Sequence, residues 1–260
     1  MAGRMENRTI LVTGSSTGVG ESTARLCAAE GARVMVHGRD EARAKQVAAG
    51  LGDPAAYVIA DLDDPNVGEK LVQATLDHFG ALDGIINNAA LTTRSTLETT
   101  DAAFFDRMLA VNTRAPMLII RAALPHFRQQ HRGVVVNIGS INGLCGQPNL
   151  LAYSISKGGL ATLSRNLANA HAVEGIRINH INLGWVASPN EIVLKQSEGL
   201  PPGWETNVPL EYSPRGSITT PEEAAEHVLF WISDDSAPAN GCVYELEQYS
   251  FIGRNPPKTA

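Results

Sequence analysis

The chain has 260 residues, of which 43% are hydrophobic and 18% charged, and its formal net charge is −6. This balance is typical of a soluble globular protein, and the acidic charge argues against a nucleic-acid surface. No apolar run is long enough to span a membrane, and residues 1–8 lack the apolar core of a signal peptide. The three cysteines have neither metal-site spacing nor a disulfide pattern. We therefore expect one cytoplasmic domain over residues 1–260, without a metal.

The first elements predict a dinucleotide site. Residues 9–12 are typical of a buried strand, 21–30 of a helix that Gly31 ends, and 33–37 of a second strand. Glycines between the first strand and the helix allow a tight turn, so that backbone N–H groups reach a pyrophosphate at the helix N-terminus. The spacing is Gly-x-x-x-Gly-x-Gly. The turn residues expected to hold the cofactor are Thr13, Gly14, Ser16, Thr17, Gly18, Val19 and Gly20.

The end of the second strand bears on the choice of cofactor. NAD sites usually place Asp or Glu there, on the ribose 2′-hydroxyl. This chain has Gly38 and Arg39, and a guanidinium pairs well with a 2′-phosphate. Asp40 weakens that signal, and Thr17 stands where a second basic residue would strengthen it. The residues favour NADP(H), and NAD(H) stays possible.

Alternating strands and helices continue along the chain. Strands are predicted at 55–59, 82–87, 133–138 and 177–183, with helices at 40–51, 65–79 and 152–174. Residues 101–130 are predicted to be helical, with an interruption near 112–116. Asn112 within that stretch is either a tolerated kink or a functional amide that holds a water. Ligands of such sheets lie across the carboxyl ends of the strands.

Tyr153 and Lys157 are four residues apart, which places both on one face of the helix predicted at 152–174. An ammonium beside a tyrosine favours the phenolate and lowers its pKa toward the range of acid–base catalysis. Ser140, at the end of the preceding strand, is placed to orient a substrate oxygen. Taken alone, the Tyr-x-x-x-Lys spacing is weak evidence for catalysis, because a surface tyrosine packed over a lysine side chain gives the same pattern.

The rhythm changes after the sixth strand. Residues 188–217 are rich in proline, and a loop of this length in a compact domain is usually a lid or binding segment. A helix at 221–232 and a short strand at 243–246 follow. The tail 247–260 is polar, and we expect it to be mobile or packed on a partner.

In their order and spacing, these motifs resemble the classical short-chain dehydrogenases/reductases over essentially the whole chain. The matching pieces are Thr13-Gly14-x-x-x-Gly18-x-Gly20, Asn87-Asn88-Ala89, Asn112, Ser140 and Tyr153-x-x-x-Lys157. The resemblance implies a Rossmann-type, doubly wound α/β fold with a seven-stranded parallel sheet and helices on both faces. It also implies a homotetramer or homodimer, as do the apolar faces that the helices at 101–130 and 152–174 would expose in a monomer.

The resemblance also implies roles for individual residues. Tyr153 is the general acid/base, Lys157 binds the nicotinamide ribose and lowers the tyrosine pKa, Ser140 orients the substrate, and Asn112 holds a water. Further cofactor contacts are expected from Asp61 and Leu62 at the adenine, Asn88 and Ala89 near the ribose, and Gly184, Val186 and Ser188 at the nicotinamide. The chain departs from the family pattern at Ala90, where the family has Gly, at Leu183, where it has Pro, and at Ser188, where it has Thr.

The function expected is interconversion of a secondary alcohol and a carbonyl. Amide side chains, Asn142 and Gln147, with Trp185 and Trp204 as a stacking wall, suit a polar, sugar- or polyol-like substrate. Arg94 suits a carboxylate if it faces the pocket. The alternatives are a 3-oxoacyl thioester reductase, which the acidic balance slightly disfavours, and a non-catalytic NADP(H)-binding sensor, against which the intact catalytic set argues.

Overall fold

The fold is described from a computed structural model, in which residues 3–249 are placed. Residues 250–260, most of the predicted tail, lie outside this range. Seven parallel strands form one sheet in the order β3-β2-β1-β4-β5-β6-β7. The strands are β1 (Thr9–Val12), β2 (Arg33–Gly38), β3 (Ala55–Ile59), β4 (Gly84–Asn87), β5 (Gly133–Ser140), β6 (Ile176–Leu183) and β7 (Val243–Leu246). The prediction of a seven-stranded, doubly wound parallel sheet is confirmed.

Helices cover both faces of the sheet because the central strands contribute apolar side chains to both of its faces. In β1, Ile10 and Val12 belong to one core cluster, and Leu11 between them belongs to the other. The first cluster lies under α1 (Gly18–Ala29), α2 (Glu41–Leu51) and α9 (Pro221–Ile232). The second lies under α3 (Val67–Phe79), α5 (Ala115–Gln129) and α7 (Leu151–His171).

The predicted interruption near residue 112 is a π turn. The chain continues from α4 (Ala102–Leu109) through a π turn (Ala110–Arg114) into α5 without leaving the helical path. Pro116 is tolerated because it lies in the first turn of α5. A π turn shifts the hydrogen-bond pairing by one residue, which leaves backbone groups free of their usual partners.

Residues 188–217 are not a plain loop, so that expectation was wrong in part. A short α6 (Asn142–Cys145) precedes α7, and α8 (Pro189–Ser197) occupies the start of the expected lid. The helix α8 begins because the Ser188 side chain accepts a hydrogen bond from the Glu191 N–H and proline occupies the first turn.

Within residues 3–249, no helix combines the length and hydropathy needed to cross a membrane.

Candidate active site

The carboxyl ends of the strands open onto one cavity of about 890 Å³. Nearly all the residues expected from the sequence to bind cofactor or substrate line it, and the exceptions are Thr13, Gly20, Asn112 and Trp204. The lining residues among those expected are Gly14, Ser16, Thr17, Gly18, Val19, Gly38, Arg39, Asp61, Leu62, Asn88, Ala89, Ser140, Asn142, Gln147, Tyr153, Lys157, Gly184, Trp185, Val186 and Ser188.

The glycine turn is built for a close backbone approach. Gly14 has a φ of +64°, and a Cβ there would lie 2.8 Å from the Ala89 Cα. A Cβ on Gly20 would lie 2.4 Å from the Asn88 side-chain nitrogen. Thr17 is the N-cap of α1 but makes no side-chain capping bond, so the first N–H groups of that helix remain available. These features fit the pyrophosphate of a dinucleotide.

Thr13 and Gly20, two of the expected residues outside the cavity lining, support it from behind. The Thr13 hydroxyl accepts hydrogen bonds from the N–H groups of Asn88 (3.0 Å) and Ala89 (3.1 Å). The Asn88 side chain in turn donates to the Thr13 carbonyl (3.0 Å). Thr13 therefore fixes the ends of β1 and β4 side by side, and Gly20 lets α1 pack against them.

The end of β2 carries an exposed arginine and a histidine that is buried. His37 Nδ1 accepts from the Gly14 N–H (3.1 Å), which leaves Nε2 to donate to the Ala60 carbonyl (3.1 Å). Burial lowers the pKa of His37 to about 4, so it is neutral. The Asp40 carboxylate caps α2 through the Arg43 N–H (3.1 Å). Arg39 borders the cavity beside it.

The proposed catalytic group comes from β5 and α7. Ser140 is the last residue of β5, and its Oγ accepts from the Asn142 N–H (3.2 Å). The Lys157 side chain is buried, and its Nζ donates to the Ile138 carbonyl (2.7 Å) at 5.8 Å from the centroid of the Tyr153 ring. Burial lowers the pKa of Lys157 to about 8.

The expected lowering of the Tyr153 pKa is not produced by the protein groups. Desolvation raises the pKa of Tyr153, a hydrogen bond from Ser140 opposes the rise, and the charge of Glu191 adds to it. The Lys157 ammonium donates its hydrogen bond to the Ile138 carbonyl. The sequence pattern placed the two side chains on one face but could not show where the ammonium points.

The Asn112 side-chain amide is fully engaged with protein groups. Its oxygen accepts from the Leu91 N–H (2.8 Å), and its nitrogen donates to the Leu91 carbonyl (3.0 Å) and to Ser156 Oγ (3.0 Å). Asn112 therefore ties the π turn to the segment after β4 and to α7. A water held at this residue would use a backbone carbonyl freed by the π turn, and not the amide as expected.

The wall formed by α8 was missed by the sequence analysis. Asn190, Glu191, Leu194 and Lys195 line the cavity at helical spacing. The sequence does contain a signal for this helix, since Ser188-Pro189-x-Glu191 is a pattern typical of a helix N-terminus. Trp185 lines the cavity and stacks on Trp204 (4.8 Å between centroids), which is buried behind it. Only one of the two tryptophans expected to form a wall therefore faces the substrate.

Comparison with known proteins identifies the class to which this fold and site belong. The family model for short chain dehydrogenases matches residues 8–199. The chain belongs to the short-chain dehydrogenase family, and it is an NAD(P)-dependent alcohol dehydrogenase or carbonyl reductase.

Individual relatives share nearly the whole length of the chain. The 2-(S)-hydroxypropyl-CoM dehydrogenase 3 of Xanthobacter autotrophicus is 31% identical over 250 residues, which cover 95% of this chain and 98% of that protein. The 3-oxoacyl (acyl-carrier-protein) reductase structure from Agrobacterium tumefaciens has NADP bound. It has a TM-score of 0.85 at 27% identity and covers 93% of both chains.

A second solved structure leaves the choice of cofactor open. The 3-ketoacyl-(acyl-carrier-protein) reductase of Brucella melitensis is complexed with NADH and has a TM-score of 0.82 at 28% identity. It covers 93% of this chain and 97% of its own. The comparisons thus support a nicotinamide cofactor, and they include structures with either NADP or NADH bound.

Proposed function

We propose that the protein is an NADP(H)-preferring oxidoreductase that interconverts a secondary alcohol and a carbonyl on a polar substrate. The observation that carries this proposal is the arrangement of Ser140, Tyr153 and Lys157 at one end of a cavity whose other end is the glycine turn. The reacting carbon then lies between a proton donor and the cofactor. The nicotinamide supplies the hydride acceptor or donor when it is bound.

In this proposal, Tyr153 exchanges the proton of the substrate oxygen, and Ser140 holds that oxygen by a second hydrogen bond. The partly buried phenol needs a nearby positive charge to ionise, because desolvation and Glu191 both raise its pKa. Lys157, whose Nζ lies 5.8 Å from the centroid of the Tyr153 ring, would supply this charge together with the cationic ring of a bound oxidised nicotinamide, and it would bind a ribose hydroxyl. Asn112 positions the π turn against α7 next to the site. A water on its backbone carbonyl continues the proton path.

The proposed preference for NADP(H) rests on the contacts of the two charged residues after β2, Arg39 and Asp40. Asp40 is committed to capping α2 and also pairs with Arg43 (3.5 Å). The guanidinium of Arg39 is exposed at the cavity edge, where a ribose 2′-phosphate would meet it. NAD(H) is the alternative.

The polar lining supports a sugar- or polyol-like substrate. Asn142 and Gln147 border the cavity with Trp185, whose indole offers a flat face to a ring or chain. Reduction of a 3-oxoacyl thioester is a second candidate, favoured by the structural likeness to two such reductases. A non-catalytic NADP(H)-binding sensor is the rival from another class, and turnover of any alcohol would dispose of it.

We also propose a homotetramer or homodimer in the cytoplasm, built as one domain with residues 188–217 as the substrate lid. Met117 on α5 and Ile155 on α7 keep apolar side chains exposed, which suits an interface on these helices. The three cysteines are unpaired, in keeping with a reducing compartment. Light scattering at micromolar protein should give two or four subunits, and a monomeric mass would refute the assembly.

The test of the function is absorbance of the reduced nicotinamide with a panel of polyols, sugars and hydroxy acids. In Tyr153→Phe, turnover should fall by about 10²- to 10⁴-fold because the proton donor is lost, while cofactor binding remains. Tyr57→Phe is the matched control, since the Tyr57 hydroxyl is bound to Glu41 on the surface. Near-normal turnover in Tyr153→Phe would refute the proposed mechanism.

A further inference from the structure

Two cations line the cavity outside the cofactor turn and the catalytic group. Arg94 lies on the segment after β4, and Lys195 lies on α8. Each approaches one oxygen of Glu198. The Arg94 Nε is 2.9 Å from Oε1, and the Lys195 Nζ is 2.7 Å from Oε2. Both cations border the cavity, whereas Glu198 does not. The two cations and Glu198 together carry one positive charge in excess, and of the three only the cations border the cavity.

Arg94 has unused hydrogen-bonding capacity. Although its Nε is close to Glu198, the N–H is not aligned with that oxygen, and no described residue accepts a hydrogen bond from this buried atom. A buried donor without an acceptor is unfavourable by itself. An oxygen of a bound anion at this place would satisfy it and form a charge-assisted hydrogen bond.

The backbone at Arg94 is fixed relative to the catalytic tyrosine. The neighbouring Ser95 donates its N–H to the Asn149 carbonyl (3.0 Å) and accepts from the Leu151 N–H (3.0 Å). Leu151 is the first residue of α7, two positions before Tyr153. The position of Arg94 is therefore set by the helix that carries the proton donor, and Glu198 holds Lys195 beside it.

A further carboxylate, that of Glu191, acts at the reacting end of the cavity. The Trp185 Nε1–H donates to Glu191 (2.9 Å), and Lys195 Nζ lies 5.6 Å from the centroid of a Trp185 ring. Glu191 is close enough to Tyr153 for its charge to act on the phenol. Trp185 thus contacts the carboxylate that acts on the phenol through its indole N–H, and it contacts one of the two cations through its ring.

We infer that the substrate carries a carboxylate several bonds from its carbinol carbon, and that Arg94 and Lys195 bind this group. The inference rests on the proposed dehydrogenase function and adds the class of substrate. An acid group adjacent to the carbinol carbon would lie beside Glu191 and be repelled. A distant acid group passes Trp185 and reaches the two cations.

The test is a homologous series of methyl carbinols, each as the carboxylate and as the uncharged primary amide. The series is lactate, 3-hydroxybutyrate, 4-hydroxypentanoate and 5-hydroxyhexanoate, assayed with NADP⁺ and with NAD⁺. The ratio of kcat/KM for acid over amide should be below one for lactate and rise above one, by about 10-fold or more, in the longer members. A ratio at or below one at every length would overturn the inference, yet leave the dehydrogenase function intact.

Substitutions locate the effect. Arg94→Gln and Lys195→Gln should each raise KM for the preferred acid by about 10- to 100-fold, with kcat and the KM of its amide little changed. Arg128→Gln is the matched control, because Arg128 pairs with Glu174 (2.9 Å) among residues that do not line the cavity. Equal changes for acid and amide would mean a structural role and refute the assignment.

A binding measurement decides the question even without turnover. Trp185 contacts the proposed path, so its fluorescence should change when hexanoate is added to the protein saturated with NADP⁺. Hexanoate should bind more tightly than hexanamide in the native protein and no better in Arg94→Gln. If the two bind equally in the native protein, the anion site is refuted. If hexanoate is preferred but nothing is turned over, the site stands and the proposed catalysis fails.

Discussion

At the scale of single residues, the proposed preference for NADP(H) rests on one arginine, Arg39. In Arg39→Asp, KM for NADP⁺ should rise by about 10- to 100-fold, because a charge-assisted contact is replaced by repulsion from the 2′-phosphate. KM for NAD⁺ should stay the same or fall. The measurement is initial rate against the concentration of each cofactor.

The control for that experiment is Lys45→Gln, which removes an exposed cation from α2 outside the cavity. The ratio of the two KM values should not change in this variant. An unchanged ratio in Arg39→Asp would show that the 2′-phosphate is held elsewhere, or not held at all.

Single residues also show how far sequence reasoning reaches. Ser140, Tyr153 and Lys157 were found because their types and spacing persist whatever surrounds them, and all three line the cavity. The effect of the protein groups on the Tyr153 pKa could not be predicted, because it depends on desolvation, on Glu191 and on where the Lys157 ammonium points. None of these is encoded in the four-residue spacing.

At the scale of elements, the π turn between α4 and α5 depends on one side chain. Asn112→Ala should lower the free energy of unfolding by about 2–4 kcal/mol, because the Leu91 N–H and C=O lose their partner in a partly buried place. Urea denaturation of native and variant protein measures the loss. Turnover should fall as well, since the same amide positions α7 through Ser156.

The control for this prediction is Asn66→Ala at the start of α3. Asn66 is exposed and makes no side-chain capping bond, so its loss should change the free energy of unfolding by less than about 0.5 kcal/mol. A comparable small effect in Asn112→Ala would mean that backbone pairing, and not this amide, maintains the turn.

The predicted elements were mostly confirmed where local signals decide them, as in the buried strands and in α9 with its Thr220–Glu223 capping box. The π turn was expected only as an interruption, because the contact that the Asn112 amide makes there is with Leu91, 21 positions away. The helix α8 was not predicted, because the composition around it is rich in proline, although the sequence contains its N-terminal capping pattern.

At the scale of the whole molecule, two histidines in the interior make stability depend on pH. Burial lowers the pKa of His37 and His180 from 6.5 to about 4, so the folded protein keeps both neutral. The unfolded chain binds these protons more readily, so stability is complete above pH 6.5 and is lost as the pH falls toward 4. The free energy of unfolding should decrease by about 2 kcal/mol per histidine between pH 7 and pH 5.

Urea denaturation at a series of pH values measures this decrease. His180→Gln should remove about half of the pH dependence, whatever its effect on stability at pH 7. His78→Gln is the control, because His78 is exposed on α3 and should leave the slope unchanged. A flat profile between pH 7 and pH 5 in the native protein would show that the two rings are not held neutral.

Of the features of the whole molecule, the sheet could be predicted from the sequence and the charge distribution in the cavity could not. The seven-strand parallel sheet was predicted because the alternation of strands and helices, together with the family resemblance, defines it. The distribution of charge in the cavity could not be predicted. It depends on Arg94, from the segment after β4, and on Glu191 and Lys195 of α8, and these two segments come together only when α8 closes one wall of the cavity.

The strand order has a consequence for how the protein is made. β2 pairs with β1, β3 joins at the β2 edge, β4 joins at the free edge of β1, and β5, β6 and β7 follow outward in turn. No strand has to be inserted between two that are already paired. A nascent chain leaving the ribosome can therefore enlarge the sheet in the order of synthesis, each new strand docking on a finished edge. We expect truncated chains ending after β3, β4 and β5 to acquire protease resistance progressively from the N-terminal side.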